Sequence, residues 1–211
     1  MSGKSTDARG SEIVRGGRQA RMFAALGSLS GCIVWILLYL HHLMVENPSR
    51  EIDLPLIGPG HKLRFDDFSM LPGFVFGVVI GLALHRRRLV SAVQVTAYVA
   101  AAIVANFVAT NLAYGIVVDA DSKLDVTWIG MIAGFAGAAC LTLLSLPIFP
   151  FCRQWRPCLL MIVAGTLLGG FLRVGLADEI GTLGFLILYG VWQAGYAAAL
   201  ATAVANSQST P

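Results

Sequence analysis

Six long runs of apolar residues with almost no charge limit the possible folds of this chain more than any other feature. A helix needs about 20 mostly apolar residues to cross a bilayer core of roughly 30 Å. The sequence predicts six such helices, at residues 22–44, 68–84, 89–118, 126–152, 157–176 and 182–205. Runs such as 97–104 lack the alternation of apolar and polar residues that an outer-membrane barrel requires. We therefore predict an all-α, polytopic integral membrane protein built as a bundle of six transmembrane helices.

The composition agrees with lipid as the solvent of this chain. Only 13% of the 211 residues are charged and 56% are hydrophobic, whereas soluble domains contain about 25% charged residues. Residues 1–20 are rich in Gly, Ser and Arg and are predicted to form a disordered basic cytoplasmic tail. Residues 21–206 form the predicted membrane domain, with an outer loop at 45–67, and 207–211 form a C-terminal tail.

The distribution of charge predicts the orientation of the bundle. Lys and Arg are concentrated in cytoplasmic connectors and near helix ends. With the N-terminus inside, the inner side holds ten of the fifteen basic residues and, among the acidic residues, only Asp7 and Glu12. Both termini are therefore predicted to be cytoplasmic, in the inner (plasma) membrane. The arginines are expected to attract lipid headgroups rather than nucleic acid, because no nucleic-acid-binding motif accompanies them.

Small residues four apart recur in nearly every predicted helix, a spacing that permits close helix contact in lipid. The predicted helix-packing residues are Gly73, Gly77, Gly81, Gly130 and Gly134. One interpretation is packing within the chain. The alternative is that the stripe of Gly73, Gly77 and Gly81 forms an interface with another copy or with another membrane protein.

Ionisable residues are almost absent from the middle of the predicted helices, which argues against several chemistries. A proton-coupled carrier commonly needs a buried carboxylate or histidine, and a retinal protein needs a buried lysine. His41 and His42 lie at the outer end of the first helix and His85 at the inner end of the second, so they cannot share one haem. We predict no catalytic residue, no cofactor and no enzymatic activity.

The outer ends of the helices carry the remaining ionisable candidates. Arg173 is expected to pair with Asp178 or Glu179, with an anionic ligand as the alternative. His41 and His42 are placed at the outer interface. Together with His61 they leave a metal site open as a hypothesis, although the prolines of the outer loop favour an irregular, solvated segment and no metal ligand set is predicted.

Neutral polar side chains within the apolar runs suggest two functions. Asn106, Thr110, Asn111 and Gln193 either form hydrogen bonds between helices or line a polar pocket. The first interpretation fits a non-enzymatic membrane subunit or oligomeric module that acts through helix packing. The second fits a permease or substrate-binding subunit for a neutral or hydrophobic small molecule.

Overall fold

A computed structural model of the chain describes residues 4–44, 50–53, 62–65, 67–119, 124–149, 154–175 and 183–208. The elements are α1 (Lys4–Met44), β1 (Arg50–Asp53), β2 (Lys62–Phe65), α2 (Asp67–Arg86), α3 (Ala92–Asp119), α4 (Val126–Ile148), α5 (Trp155–Gly169), α6 (Leu172–Gly175) and α7 (Leu183–Gln208). Six helical segments are long and apolar enough to cross a membrane, α5 and α6 together supplying the fifth. The predicted helical bundle is confirmed, and it fits a multi-pass membrane protein.

The helices form a closed ring in which chain neighbours are also neighbours in space. Each of α1 to α4 packs against the next helix, α5 packs against α7, and α7 returns to α1. Neighbouring helices are antiparallel: Gly73 and Gly81 of α2 face Ala102 and Val95 of α3, and Gly130 and Gly134 of α4 face Gly169 and Gly165 of α5. We call the end that holds Arg21, Arg86–Arg88 and Arg156 the arginine end. The opposite end, with the β-strands, Asp125 and Arg173, is the hairpin end.

Two segments differ from the sequence prediction near the first helix. α1 begins at Lys4, where a disordered tail was expected, because extending an existing helix is far less costly than nucleating a new one. The outer loop was expected to be irregular, yet it contains an antiparallel hairpin in which Glu51 lies opposite Arg64 and Asp53 opposite Lys62.

The fifth predicted helix is interrupted. α5 ends at Gly169, and the amides of Gly170 and Phe171 bond to the carbonyls of Leu167 and Leu168, a tighter pattern than that of an α-helix. The chain then resumes as the short α6. The break lies where the backbone of Gly169 touches that of Gly130 on α4.

Glycines allow the neighbouring backbones to approach this closely. A Cβ atom added at Gly73 or Gly77 would meet the backbone of α3 at Ala102 and Val99, and one at Gly81 would meet the side chain of Val95. On α4, Gly130 and Gly134 face Gly169 and Gly165 of α5. All five predicted packing glycines therefore lie in contacts within the chain, and the stripe on α2 is occupied by α3.

Candidate functional site

A single turn of α7 makes polar contacts with four other helices. We call its three residues Trp192, Gln193 and Tyr196 the α7 belt. Gln193 bonds to α1 and α2, Trp192 to α5, and Tyr196 to α4. The belt lies near the middle of α7, so its hydrogen bonds form away from both ends of the bundle.

Gln193 joins three helices. Its side chain is 1% exposed, its Oε1 accepts a short hydrogen bond from the Ser30 hydroxyl, and its Nε2 donates to the Pro72 carbonyl oxygen over 3.3 Å. The backbones of α1 and α7 approach closely because Gly27 has no side chain. A Cβ there would come within 2.6 Å of the Gln193 carbonyl carbon. Gly27 thus brings Ser30, one turn further along α1, within reach of Gln193.

The other two members of the belt bond to α4 and α5. Trp192 Nε1 donates to the carbonyl oxygen of Gly165 over 3.1 Å. The Tyr196 hydroxyl lies 3.1 Å from Thr142 Oγ1, and both of these residues are buried. The phenol and the alcohol can each donate or accept, so either hydroxyl can be the donor of this bond.

Aromatic contacts fix the orientation of the belt. The rings of Trp192 and Tyr196 stack, with centroids 5.7 Å apart and an interplanar angle of 17°. Phe76 of α2 meets both rings edge-on, at 6.3 Å from Trp192 and 6.0 Å from Tyr196. Edge-to-face and offset stacked pairs in this range stabilise a core beyond the area that they bury.

The belt is built of neutral groups that bond to neighbouring helices. The chain matches no protein-family model, no curated protein and no solved structure. The role of the belt is therefore inferred from its contacts, which link α1, α2, α4 and α5 to α7.

The four residues of the predicted polar pocket do not converge. Asn106 Nδ2 donates to the Ser69 carbonyl oxygen of α2 over 2.9 Å. Asn111 Nδ2 donates to Phe107 of its own helix over 3.0 Å. Five residues along a helix correspond to a rotation of about 140°, so Asn106 and Asn111 face different directions. Thr110 lies half-buried one turn beyond Asn106, while Gln193 is directed toward α1 and α2.

At the hairpin end, Arg173 pairs with a carboxylate that the sequence analysis did not choose. Its Nη1 lies 3.3 Å from Asp125 Oδ2, with both side chains substantially exposed. The expected partners Asp178 and Glu179 lie outside the described residues. Asp125 is also the N-cap of α4, where its Oδ1 accepts a hydrogen bond from the Thr127 amide over 2.7 Å.

The pKa of Asp125 is lowered from its ordinary value, chiefly by hydrogen bonding to Thr127 and further by the charge of Arg173. The cap therefore stabilises the fold above the ordinary pKa of an aspartate, and this contribution is lost as pH falls through the lowered folded-state value. Asp125→Ala is expected to lower the melting temperature slightly at neutral pH. The difference from wild type should disappear in strong acid, as thermal unfolding in detergent at stepped pH will show.

Asp125→Asn separates the two roles of this carboxylate, since asparagine also caps helices well. It should retain most of the stability of the wild type at neutral pH while losing the attraction to Arg173. Equal losses for the Asn and Ala variants would contradict the capping role.

The histidines of the outer interface do not form a metal site in the part of the chain that the structure describes. His41 is half-buried near the end of α1, the side chain of His42 is not described, and His61 lies outside the described residues. Within the described ranges, no three His, Cys, Asp or Glu side chains converge. The metal hypothesis for the loop that holds His61 stays a prediction.

Two local sequence signals predict helix caps at Asp125 and Ser91 that are not among the predicted site residues. Asp125 followed by Thr127 at the start of an apolar run is an N-cap signature. Ser91-x-x-Gln94 is a capping box, and the structure forms it at the start of α3. The belt has no such local signal, because its partners come from four distant segments.

Proposed function

We propose that this protein is a non-enzymatic, multi-pass helix-bundle protein of the inner (plasma) membrane, a membrane-embedded subunit or oligomeric module. The observation that carries the proposal is the α7 belt, where buried polar side chains are engaged in joining helices. The described buried polar residues are the neutral Ser30, Ser69, Thr142, Ser145 and Gln193. A rigid bundle of this kind acts through the surfaces it presents.

The proposed orientation places both termini in the cytoplasm. Its support is the separation of charge along the bundle: six described arginines, at positions 18, 21, 86–88 and 156, lie toward the arginine end, whereas Arg173 at the hairpin end is paired with Asp125. Basic residues close to helix ends favour the cytoplasmic side. The arginine end is therefore cytoplasmic in this proposal, and the hairpin end is outside.

Contact with a partner uses large side chains on the outside of the bundle, because the glycine stripes are occupied within it. α5 carries an exposed apolar ridge with a spacing of four residues. Its members on α5 are Trp155, Leu159, Val163 and Leu167, and Phe171 follows just beyond the end of the helix. The adjacent α4 adds Trp128, Phe135 and Leu143 to the same side of the ring. Together they form a broad ridge suited to packing against another membrane helix.

The test is the mass of the full chain extracted in native lipid particles. We expect particles that contain more than one protein chain. The double variant Leu159→Ala and Leu167→Ala should reduce that association, and the matched double variant Leu29→Ala and Ile36→Ala, on the exposed face of α1, should not. A strict monomer without a co-purifying protein would contradict the proposal.

One observation favours a second candidate, the binding of a neutral or hydrophobic small molecule. None of the described residues 106–116 of α3 and 185–192 of α7 is fully buried, whereas Tyr98, Ala101, Ala102 and Ala105 of α3 and most of residues 196–204 of α7 are buried. Half-buried walls toward the hairpin end are compatible with a cleft that a ligand enters. The same extracted particles decide the matter, because a co-purified small molecule adds a few hundred daltons rather than a second chain.

A further inference from the structure

We propose that an open pocket at the arginine end, between the end of α2 and the start of α3, binds the phosphate headgroup of an anionic lipid. The pocket has a volume of about 580 Å³. Its wall includes His85, Arg86, Arg88, Leu89, Ser91 and Gln94. Two arginines line this wall, and none of the lining residues is acidic. Arginine presents donors in a planar fork that matches the oxygens of a phosphate.

The turn that places Arg88 on the pocket has a conformation in which glycine is usual. α2 ends with two bonds, from the Arg88 amide to the His85 carbonyl (2.8 Å) and from the Leu89 amide to the Leu84 carbonyl (3.1 Å). This is the Schellman arrangement, whose left-handed position favours glycine. Here Arg88 occupies it with φ of 59°. The chain thus places a guanidinium at a position where a residue without a side chain would fold more easily.

The opposite wall of the pocket is the first turn of α3, held by its own capping box. The Ser91 amide donates to Gln94 Oε1 over 2.8 Å, and the Gln94 amide donates to Ser91 Oγ over 3.3 Å. Gln94 Nε2 also donates to the Ile148 carbonyl oxygen at the end of α4 over 2.6 Å. The wall is therefore held by its own capping box and by the bond to α4. The positive end of the α3 dipole lies beside the arginines.

Arg87 provides an internal comparison, since it lies between the two pocket arginines but contacts α1. Its Nη2 is 2.9 Å from the Met22 sulfur, and its guanidinium lies 5.5 Å from the centre of the Phe23 ring. Three consecutive arginines thus divide their roles. Arg86 and Arg88 contribute to the pocket, and Arg87 packs against the first helix.

A lipid fits this pocket better than a soluble phosphate compound because of its position and its apolar rim. The pocket lies where two membrane-length helices end, and its lining also includes Val90. Val93 in the first turn of α3 is 79% exposed, which offers apolar surface to an acyl chain beside a charged headgroup. Basic pockets between transmembrane helices at the cytoplasmic side are suited to anionic lipid headgroups.

The test is a titration of the purified full chain with phosphatidylglycerol, followed by native mass spectrometry, with phosphatidylcholine as the neutral reference. Each arginine near an anionic surface changes affinity about fivefold. We therefore expect Arg88→Gln to weaken phosphatidylglycerol binding about fivefold. Arg87→Gln, which removes the same charge one residue away, should weaken it less than twofold. Equal losses for the two variants would show diffuse attraction by charge and overturn the pocket.

Arg88→Gly separates lipid binding from folding. Glycine relieves the left-handed turn, so the melting temperature in detergent should hold or rise while phosphatidylglycerol binding weakens about fivefold. A variant that keeps its lipid affinity would overturn the proposal. Inorganic phosphate is the second probe. If it competes at low millimolar concentration and the protein shows no preference for phosphatidylglycerol over phosphatidylcholine, the ligand of the pocket is a soluble anion and not a lipid.

Discussion

Gly130→Ala is expected to destabilise the bundle by about 3 kcal/mol, the upper part of the range for overpacked sites. The added methyl group would overlap the carbonyl oxygen of Gly169 and lie 2.6 Å from Cβ of Leu172. The first obstacle is backbone, which cannot rotate away as a side chain can. α4 and α5 must therefore separate, and the carbonyl of Gly165, to which Trp192 donates, shifts with α5. Unfolding of the purified protein by a denaturing detergent, followed by tryptophan fluorescence, measures the loss.

Two glycines on the same molecule serve as controls for helix propensity. Gly115 and Gly190 have no atom within 4 Å of an added Cβ, so alanine there should be neutral or slightly stabilising. Gly190 is the stricter control, because its neighbour across the α1–α7 contact is Gly31. A Cβ at Gly31 would lie 2.6 Å from Gly190 Cα, and Gly31→Ala should therefore destabilise while Gly190→Ala does not. Similar stability of all four alanine variants would mean that the helices shift to accommodate a methyl group and that the glycine contacts are not rigid.

The fold is largely predictable from this sequence, because the number and approximate bounds of the apolar helices follow from how many residues cross a bilayer. Two details of the fold differ from the prediction because of contacts between distant segments. The interruption after Gly169 depends on a close approach to Gly130, 39 residues away in the sequence. The hairpin in the outer loop depends on pairing between two strands, whereas the prolines of that loop favour an irregular segment.

The candidate site was predictable by residue type but not by arrangement. Asn106 and Gln193 were singled out as polar residues in apolar helices, with interhelical hydrogen bonding as one of two interpretations, and both bond to backbone carbonyls of α2. Their grouping into one pocket with Thr110 and Asn111 stays a prediction, because the rotation of each helix about its axis decides which neighbour a side chain meets. Tyr196 and Thr142 are polar residues within apolar helices, but nothing in the sequence pairs α4 with α7.

Tyr196→Ala is expected to destabilise the bundle by about 3 kcal/mol. Truncation of a fully buried aromatic side chain leaves a cavity and removes its contacts, and costs of about 3–5 kcal/mol are usual in soluble cores. The lower end applies here because the unfolded helices remain in an apolar solvent, so loss of packing rather than transfer from water sets the cost. Phe76 and Trp192 would lose their central ring contact. Phe74→Ala, on the exposed face of α2, is the matched control and should cost far less.

The hydroxyl of Tyr196 accounts for a separable part of that loss. Tyr196→Phe keeps the ring and removes the bond to Thr142, for which about 1 kcal/mol is expected from hydrogen bonds between membrane helices. Thr142→Val removes the same bond from the other side with little change of shape. If the two hydroxyls act as one pair, the double variant should lose about as much stability as either single variant, within a few tenths of a kcal/mol. Fully additive losses would mean that each hydroxyl has another partner, and the belt would then hold α4 through packing of the rings alone.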